Sequence, residues 1–113
     1  MNKFTKAHRL QKADEFSSVF VFRKVRHGTY FKIHYKPNEL ENSRLGFMVS
    51  KKVHKRANQR NYMKRTIREY FRLNQSKWEC VDIIVRVQKH FTKLMYEDIC
   101  KELDYLTYKF LRK

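Results

Sequence analysis

The sequence is poor in glycine, proline, cysteine and acidic residues. Its 113 residues include two glycines, one proline and two cysteines. Two glycines are too few for a glycine-rich phosphate-binding loop. The cysteines, Cys80 and Cys100, form no C-x-x-C pair, so we interpret them as small core residues in a reducing compartment.

Sequence motifs of self-sufficient enzymes are absent as well. The chain has no G-x-S-x-G motif and no carboxylate-rich metal motif, and its five histidines do not have metal-ligand spacing. We therefore predict no catalytic residue and no metal site in the protein itself.

Long apolar runs are also lacking. No segment approaches the roughly 20 apolar residues that span a bilayer. The N-terminal stretch MNKFTKAHRLQKADEF is basic, but no apolar h-region follows, so we do not expect a signal peptide. These features predict a cytoplasmic protein.

The charge balance is strongly positive. With 27 Lys and Arg against 11 Asp and Glu, the formal net charge is +16. Such an excess repels itself and calls for a polyanionic partner, most commonly nucleic acid. Because 42% of residues are hydrophobic and 15% aromatic, we expect the chain to fold and its charged residues to lie on the surface. We predict a single domain over residues 1–113.

Three stretches alternate between apolar and polar residues, as half-buried strands do. They are YFKIHY, RLGFMVSKKV and VDIIVRV. In the first, Phe31, Ile33 and Tyr35 share one face, and Tyr30, Lys32 and His34 share the other. The segment KPNELENS between the first two holds the only proline and predicts a hairpin-type loop.

Two further stretches have helical periodicity. ADEFSSVFVF places Phe16, Val19 and Phe20 at i, i+3 and i+4. Residues 96–111 carry an apolar stripe with Glu97 and Asp98 in the first turn, where acids favour a helix. That stripe comprises Ile99, Leu103, Leu106 and Phe110. Helices and strands together predict an α+β fold, an α/β sandwich built on one sheet.

Residues 51–72 concentrate the positive charge. They hold nine lysines and arginines and one acid, Glu69. A helix over residues 58–73 gathers an apolar arc and an adjoining polar arc. The apolar arc is Met63, Ile67, Tyr70 and Phe71, and the polar arc is Asn61, Lys64, Arg65, Arg68 and Arg72.

A stripe of like charges destabilises a helix by a few tenths of a kcal/mol per pair. A merely soluble helix would intersperse acids, so we favour a polyphosphate contact over a solvated basic face. Lysine and arginine read phosphates, and the neighbouring elements are strands, which suits RNA better than the major groove of DNA. A ribosomal protein remains an alternative on composition alone.

The residues around this helix resemble a known family. FMVSKKV followed by RANQRNYMKRTIREYFR resembles the bacterial ribonuclease P protein component, with a strand, S-K-K, and then R-N-x-x-K-R-x-I-R-E. HRLQKADEFSSVF is similar to that family's opening. The resemblance extends through VDIIVRV and the last helix, and so covers nearly the whole chain.

The resemblance implies a protein that binds a large catalytic RNA and the 5′ leader of precursor tRNA. The RNA hydrolyses the phosphodiester bond and requires magnesium, whereas the protein binds no cofactor. Neither a membrane nor DNA is an expected partner. The implied fold is a mixed four-stranded sheet packed with three helices, in which the central basic helix makes an uncommon left-handed crossover.

The resemblance also assigns residues to two RNA contacts. The contact with the catalytic RNA comprises Lys51, Lys52, Lys55, Arg56, Arg60, Asn61, Lys64, Arg65, Arg68 and Arg72. The contact with the leader comprises Phe16, Phe20, His34 and Arg86. For the two phenylalanines, the competing interpretation is packing of the helix against the sheet. The two interpretations are compatible if each ring packs on the sheet with one part and offers the rest to a base of the leader.

Four features depart from the family's pattern. Tyr62 replaces a basic residue that often follows Arg60-Asn61, and His54 replaces a small residue. His34 stands where an aromatic residue is common, and the basic pair after the last strand is only loosely present as Arg86 and Lys89.

Two other functions stay open at this point. One is a ribosomal or RNA-chaperone protein with no role in a reaction. The other is a nuclease that uses a histidine with Glu69 or Asp82.

Overall fold

The described part of the chain, residues 6–112 of a computed structural model, contains three helices and four strands. In chain order these are α1 (Ala13–Phe22), β1 (Lys24–His27), β2 (Phe31–Pro37), β3 (Arg44–Met48), α2 (Ala57–Asn74), β4 (Val81–Val87) and α3 (Tyr96–Thr107). Short 3-10 turns precede α1 and α3 and follow α2 and α3.

The four strands form one mixed sheet in the order β1-β2-β4-β3. β2 pairs antiparallel with β1 and with β4, whereas β3 and β4 are parallel and are joined through α2. The predicted fold class, a mixed four-stranded sheet with three helices, is therefore confirmed. The hand of the crossover stays a prediction.

The predicted hairpin at KPNELENS is wrong. β4 lies between β2 and β3, so this segment passes across the end of β4 and forms no hairpin turn. The reason lies in β4 itself: six of its seven residues are buried, which requires a central position. The hairpin instead joins β1 to β2 through residues 28–30, where Gly28 N donates to Phe31 O at 2.8 Å.

The hairpin turn is held against α3 by one carboxylate. Glu102 accepts hydrogen bonds from the backbone N–H groups of Thr29, Tyr30 and Phe31, each at 2.9 Å. Tyr30 was predicted to share a face with Lys32 and His34, but it lies in this turn and its ring packs against Phe91. The sequence pattern missed β1 because this strand is only four residues long.

The sheet is covered differently on its two faces. Helices α2 and α3 pack on one face and form the main core, whose residues from α2 and α3 are Met63, Ile67, Phe71, Ile99, Leu103 and Leu106. Helix α1 packs on the other face through a small cluster made by Leu10, Val19 and Ile84. The apolar stripes predicted for α2 and α3 face the sheet and supply the buried apolar residues of these helices.

Tyr70 and the end of α3 differ in detail from the expectation. Tyr70 is half-buried, and its hydroxyl donates to Asp104 on α3. Burial, followed by this hydrogen bond, raises the pKa of Tyr70 well above its usual value. The α-helix ends at Thr107, and a 3-10 turn carries the predicted stripe on to buried Phe110.

An ion network joins α1 to the sheet. Asp82 on β4 is 2% exposed, and its carboxylate accepts two hydrogen bonds from Arg44 on β3, at 2.7 and 2.9 Å. Asn38 Nδ2 donates to the same carboxylate at 2.7 Å. Arg44 Nη1 also reaches Glu15 on α1 at 2.6 Å. Arg44 therefore neutralises a buried charge and tethers α1.

This arrangement predicts that Arg44→Met destabilises the fold by about 3 kcal/mol, because removing one partner leaves Asp82 buried without its counter-ion. The matched control is Arg72→Met, which breaks a pair between Arg72 and the more exposed Glu69 and should destabilise the fold far less, because solvent screens that pair. Urea unfolding of both variants measures the difference. Equal losses would mean that solvent screens the Asp82 charge.

Candidate nucleic-acid interface

The predicted cations gather at the β3–α2 junction. Residues 49–56 form the connecting loop, and its Lys51, Lys52, Lys55 and Arg56 are all exposed. Val53 N donates to Ser50 O at 3.1 Å, which turns the loop back toward α2. The loop and the first turns of α2 therefore share one side of the molecule.

Arg60 shapes this loop. Its Nη1 donates to the carbonyl oxygens of His54 and Lys55, at 2.9 and 2.7 Å. The guanidinium thus anchors the loop to the first turn of α2. The predicted RNA contact by Arg60 is untested, but the residue has a structural use that sequence spacing did not reveal.

His54 lies at the base of the loop in contact with His90. The two ring centroids are 4.5 Å apart, and His54 Nδ1 accepts a hydrogen bond from the Arg56 N–H at 3.1 Å. Desolvation lowers the pKa of His54, and the nearby His90, Arg56 and Arg60 lower it further. The ring is therefore neutral near pH 7 and can accept that hydrogen bond.

Helix α2 presents the rest of the predicted stripe. Asn61, Arg65 and Arg68 are exposed, and Lys64 is half-buried. Arg72 differs, because it forms an ion pair with Glu69. Together with the loop, these side chains form what we call the basic surface: Lys51, Lys52, Lys55, Arg56, Asn61, Lys64, Arg65 and Arg68.

Tyr62 lies outside the basic surface. It is half-buried, and its ring meets Phe91 edge-on with the centroids 6.1 Å apart. The aromatic residue at this departure from the family's pattern therefore packs against the main core.

A second candidate surface lies on the α1 side of the sheet. The Phe16 ring packs over Gly46 so closely that a Cβ at Gly46 would lie 2.6 Å from Phe16 Cε1. The Phe20 ring meets His34 edge-on at 4.8 Å between centroids. Both phenylalanines are half-buried against the small cluster under α1, so packing is part of their role and each keeps some exposed surface.

Cations border these phenylalanines. Arg86 on β4 is directly opposite Lys32 on β2, and Lys32 is opposite His27 on β1. Desolvation lowers the pKa of His34, and Arg86, Lys32 and His27 lower it further, so His34 is a neutral ring at pH 7. We call this set the sheet groove: Phe16, Phe20, Lys32, His34 and Arg86. Lys32 was missed as a site residue, although alternation along β2 places it on the face of His34.

The two surfaces meet at the edge strand β3. A cleft of about 280 Å³ there is lined by residues that include Phe16 of the sheet groove and Arg68 of the basic surface. The Arg68 guanidinium carbon lies 5.9 Å from the centroid of the Phe47 ring, which also lines the cleft. An RNA bound on one surface would therefore lie next to the other.

Residues 6–112 lack two other kinds of site. No helix there is both long enough and apolar enough to cross a bilayer. Within the same residues, no three side chains among His, Cys, Asp and Glu come close enough together to hold a metal ion.

Comparisons with known proteins identify relatives of this chain. A family model described as Ribonuclease P matches residues 4–111. The ribonuclease P protein components of Chromobacterium violaceum and of Azoarcus sp. are each 50% identical to this chain over 91 residues. Each alignment covers 80% of this chain, and 75% and 76% of the respective relatives.

Solved structures extend the similarity to the fold. The RNase P protein of Staphylococcus aureus aligns with a TM-score of 0.83 at 29% identity, covering 95% of this chain and 100% of that one. The RNase P protein of Thermotoga maritima aligns with a TM-score of 0.68 at 28% identity, covering 91% and 94%. The chain with this sheet, this basic helix and these relatives belongs to the ribonuclease P protein family.

Proposed function

We propose that this chain is the protein subunit of ribonuclease P and supports removal of the 5′ leader from precursor tRNA. One observation carries the proposal: in a member of this family, the basic surface and the sheet groove meet at β3, and each has the side chains that suit a different kind of RNA. A ribosomal or chaperone protein is not favoured by the family match.

The basic surface suits the RNA subunit of the enzyme. Its lysine and arginine side chains can bind the phosphates of an RNA and displace the counterions held there. Because added salt opposes the release of those counterions, binding should weaken as the salt concentration rises. Helix α2 is held rigidly, since Met63, Ile67 and Phe71 are buried beneath it. A folded RNA presents phosphates at fixed positions, which a rigid row of cations can match.

The sheet groove suits the single-stranded leader. Partly exposed phenylalanine rings stack on bases without sequence preference, and Arg86 and Lys32 lie where a backbone could follow. The neutral His34 ring adds aromatic surface next to Phe20. This combination of rings and cations is typical of sites for unpaired nucleotides.

In this proposal the RNA subunit hydrolyses the phosphodiester bond with its own magnesium ions, in the cytoplasm. The acids considered for a protein nuclease are already engaged: Asp82 pairs with Arg44, and Glu69 pairs with Arg72. Neither carboxylate is placed to act as a general base. The protein's contribution is binding and positioning.

Reconstitution tests the function directly. Protein freed of RNA should leave precursor tRNA intact, and adding it to ribonuclease P RNA at low magnesium should restore leader removal, because the protein lowers the electrostatic cost of assembling two RNAs. Cleavage is measured on labelled precursor. Activity of the RNA-free protein that disappears on substituting one histidine or glutamate would contradict the proposal, and failure to stimulate the RNA would favour the ribosomal alternative.

Arg68→Met should weaken binding of the RNA subunit by about 1–3 kcal/mol, because it removes a charge but keeps an unbranched stem over Phe47. The slope of log affinity against log salt should fall by about one unit. Lys77→Ala is the control, since it removes an exposed cation beyond the C-terminal end of α2. Equal effects of the two substitutions would show that the basic surface is not a localised contact.

Phe20→Leu should selectively weaken binding of precursor tRNA that carries a leader. Stacking on an aromatic ring contributes about 1–3 kcal/mol per base, whereas a volume-conserving core change costs less than about 1.5 kcal/mol of stability. Affinities for leader-bearing tRNA, mature tRNA and the RNA subunit are compared. Phe22→Leu, an exposed ring two residues along α1, is the control. Similar losses for all three ligands would assign Phe20 to packing alone.

A further inference from the structure

Two exposed tyrosines, one in the last turn of α3 and one in the 3-10 turn that follows it, lie against one arginine. Tyr105 is 64% exposed and Tyr108 is 54% exposed. The guanidinium carbon of Arg26 on β1 lies 5.4 Å from the centroid of the Tyr105 ring and 5.1 Å from that of Tyr108. Its Nη2 donates to the Tyr105 carbonyl at 3.1 Å. Arg26 therefore supports both rings, and we call these three residues the tyrosine platform.

The surroundings of the tyrosine platform are positive. Lys24 precedes Arg26 by two residues on edge strand β1, Lys101 lies one helical turn before Tyr105, and Lys109 follows Tyr108, and all three lysines are exposed. Two acids of α3, Glu102 and Asp104, lie beside Tyr105 in the sequence and keep their charges, because their hydrogen-bond donors are neutral, but the cations around the platform outnumber them. Glu102 accepts the three backbone N–H groups of the hairpin turn, and Asp104 accepts the Tyr70 hydroxyl.

The platform is separate from both surfaces described above. β1 and β3 are the two opposite edges of the sheet, and the basic surface and the cleft lie at the β3 edge. Arg26 contacts α3, whereas the sheet groove lies on the α1 face. A leader strand in the groove would have to turn around β1 to reach Tyr105.

We propose that the tyrosine platform stacks on an unpaired nucleobase of the ribonuclease P RNA, while Lys24, Lys101 and Lys109 contact the adjoining phosphates. This inference rests on the proposed function. Aromatic rings stack on any base, and a cation beside the ring adds favourable electrostatics. The described protein measures 36 × 28 × 25 Å, so a large RNA bound at the β3 edge can also reach the β1 edge.

The test is the double substitution Tyr105→Leu with Tyr108→Leu, which keeps apolar volume and removes both stacking planes. Affinity for the RNA subunit should fall about tenfold or more, and the salt slope should stay unchanged because no charge is lost. The double substitution Tyr105→Phe with Tyr108→Phe keeps the rings and should retain the affinity. Tyr96→Leu is the matched control, an exposed tyrosine in the first turn of α3. Thermal unfolding checks that each variant folds.

Photo-crosslinking gives a second readout on the unaltered protein. RNA subunit containing 4-thiouridine should form adducts on Tyr105 or Tyr108, identified by mass spectrometry of the peptide.

The outcomes separate this inference from the proposed function. If the leucine double variant binds RNA like Tyr96→Leu while Arg68→Met weakens binding, the platform does not contact RNA and the inference is wrong. If the RNA subunit does not bind the unaltered protein, the proposed function fails and the inference fails with it. A dimer that the leucine double variant converts to monomer would assign the platform to contact between copies of the chain, and would also overturn the inference.

Discussion

The position of α1 depends on a buried carboxylate in the central strand. A charge as buried as that of Asp82 is tolerated only with a partner, and Arg44 supplies it from the neighbouring strand. The same guanidinium reaches Glu15, whose carboxylate also accepts the N–H groups of Gln11 and Lys12 at the start of α1. These bonds connect the sheet to the helix one residue before Phe16. The spacing between α1 and the sheet, and so the shape of the sheet groove, follows from them.

Helix α2 has to reconcile a charged stripe with a stable position. Its like charges repel one another, and the buried arc of Met63, Ile67 and Phe71 holds it on the sheet. Two of its arginines have partners within the protein: Arg60 donates hydrogen bonds to the loop, and Arg72 forms an ion pair with Glu69. The remaining cations face outward with few acids nearby to offset their charge. A polyphosphate partner would neutralise that charge and so stabilise the arrangement.

Two of the departures from the family's pattern have local structural explanations. Tyr62 replaces a charge with a ring and packs on Phe91, while His54 packs on His90 and accepts the Arg56 N–H. His54 therefore supports the loop, and Tyr62 supports α2.

The sequence by itself determined the elements whose pattern is local. The buried stripes of α2 and α3, the three longer strands and the clustering of cations around α2 follow from spacings of a few residues. Tertiary structure alone decided the strand order, since β4 is central because both of its faces are buried. It also decided contacts between distant residues, such as Arg44 with Asp82, 38 residues apart, and Arg26 with Tyr105, 79 residues apart. No local periodicity encodes such pairs, because they exist only once the sheet has formed.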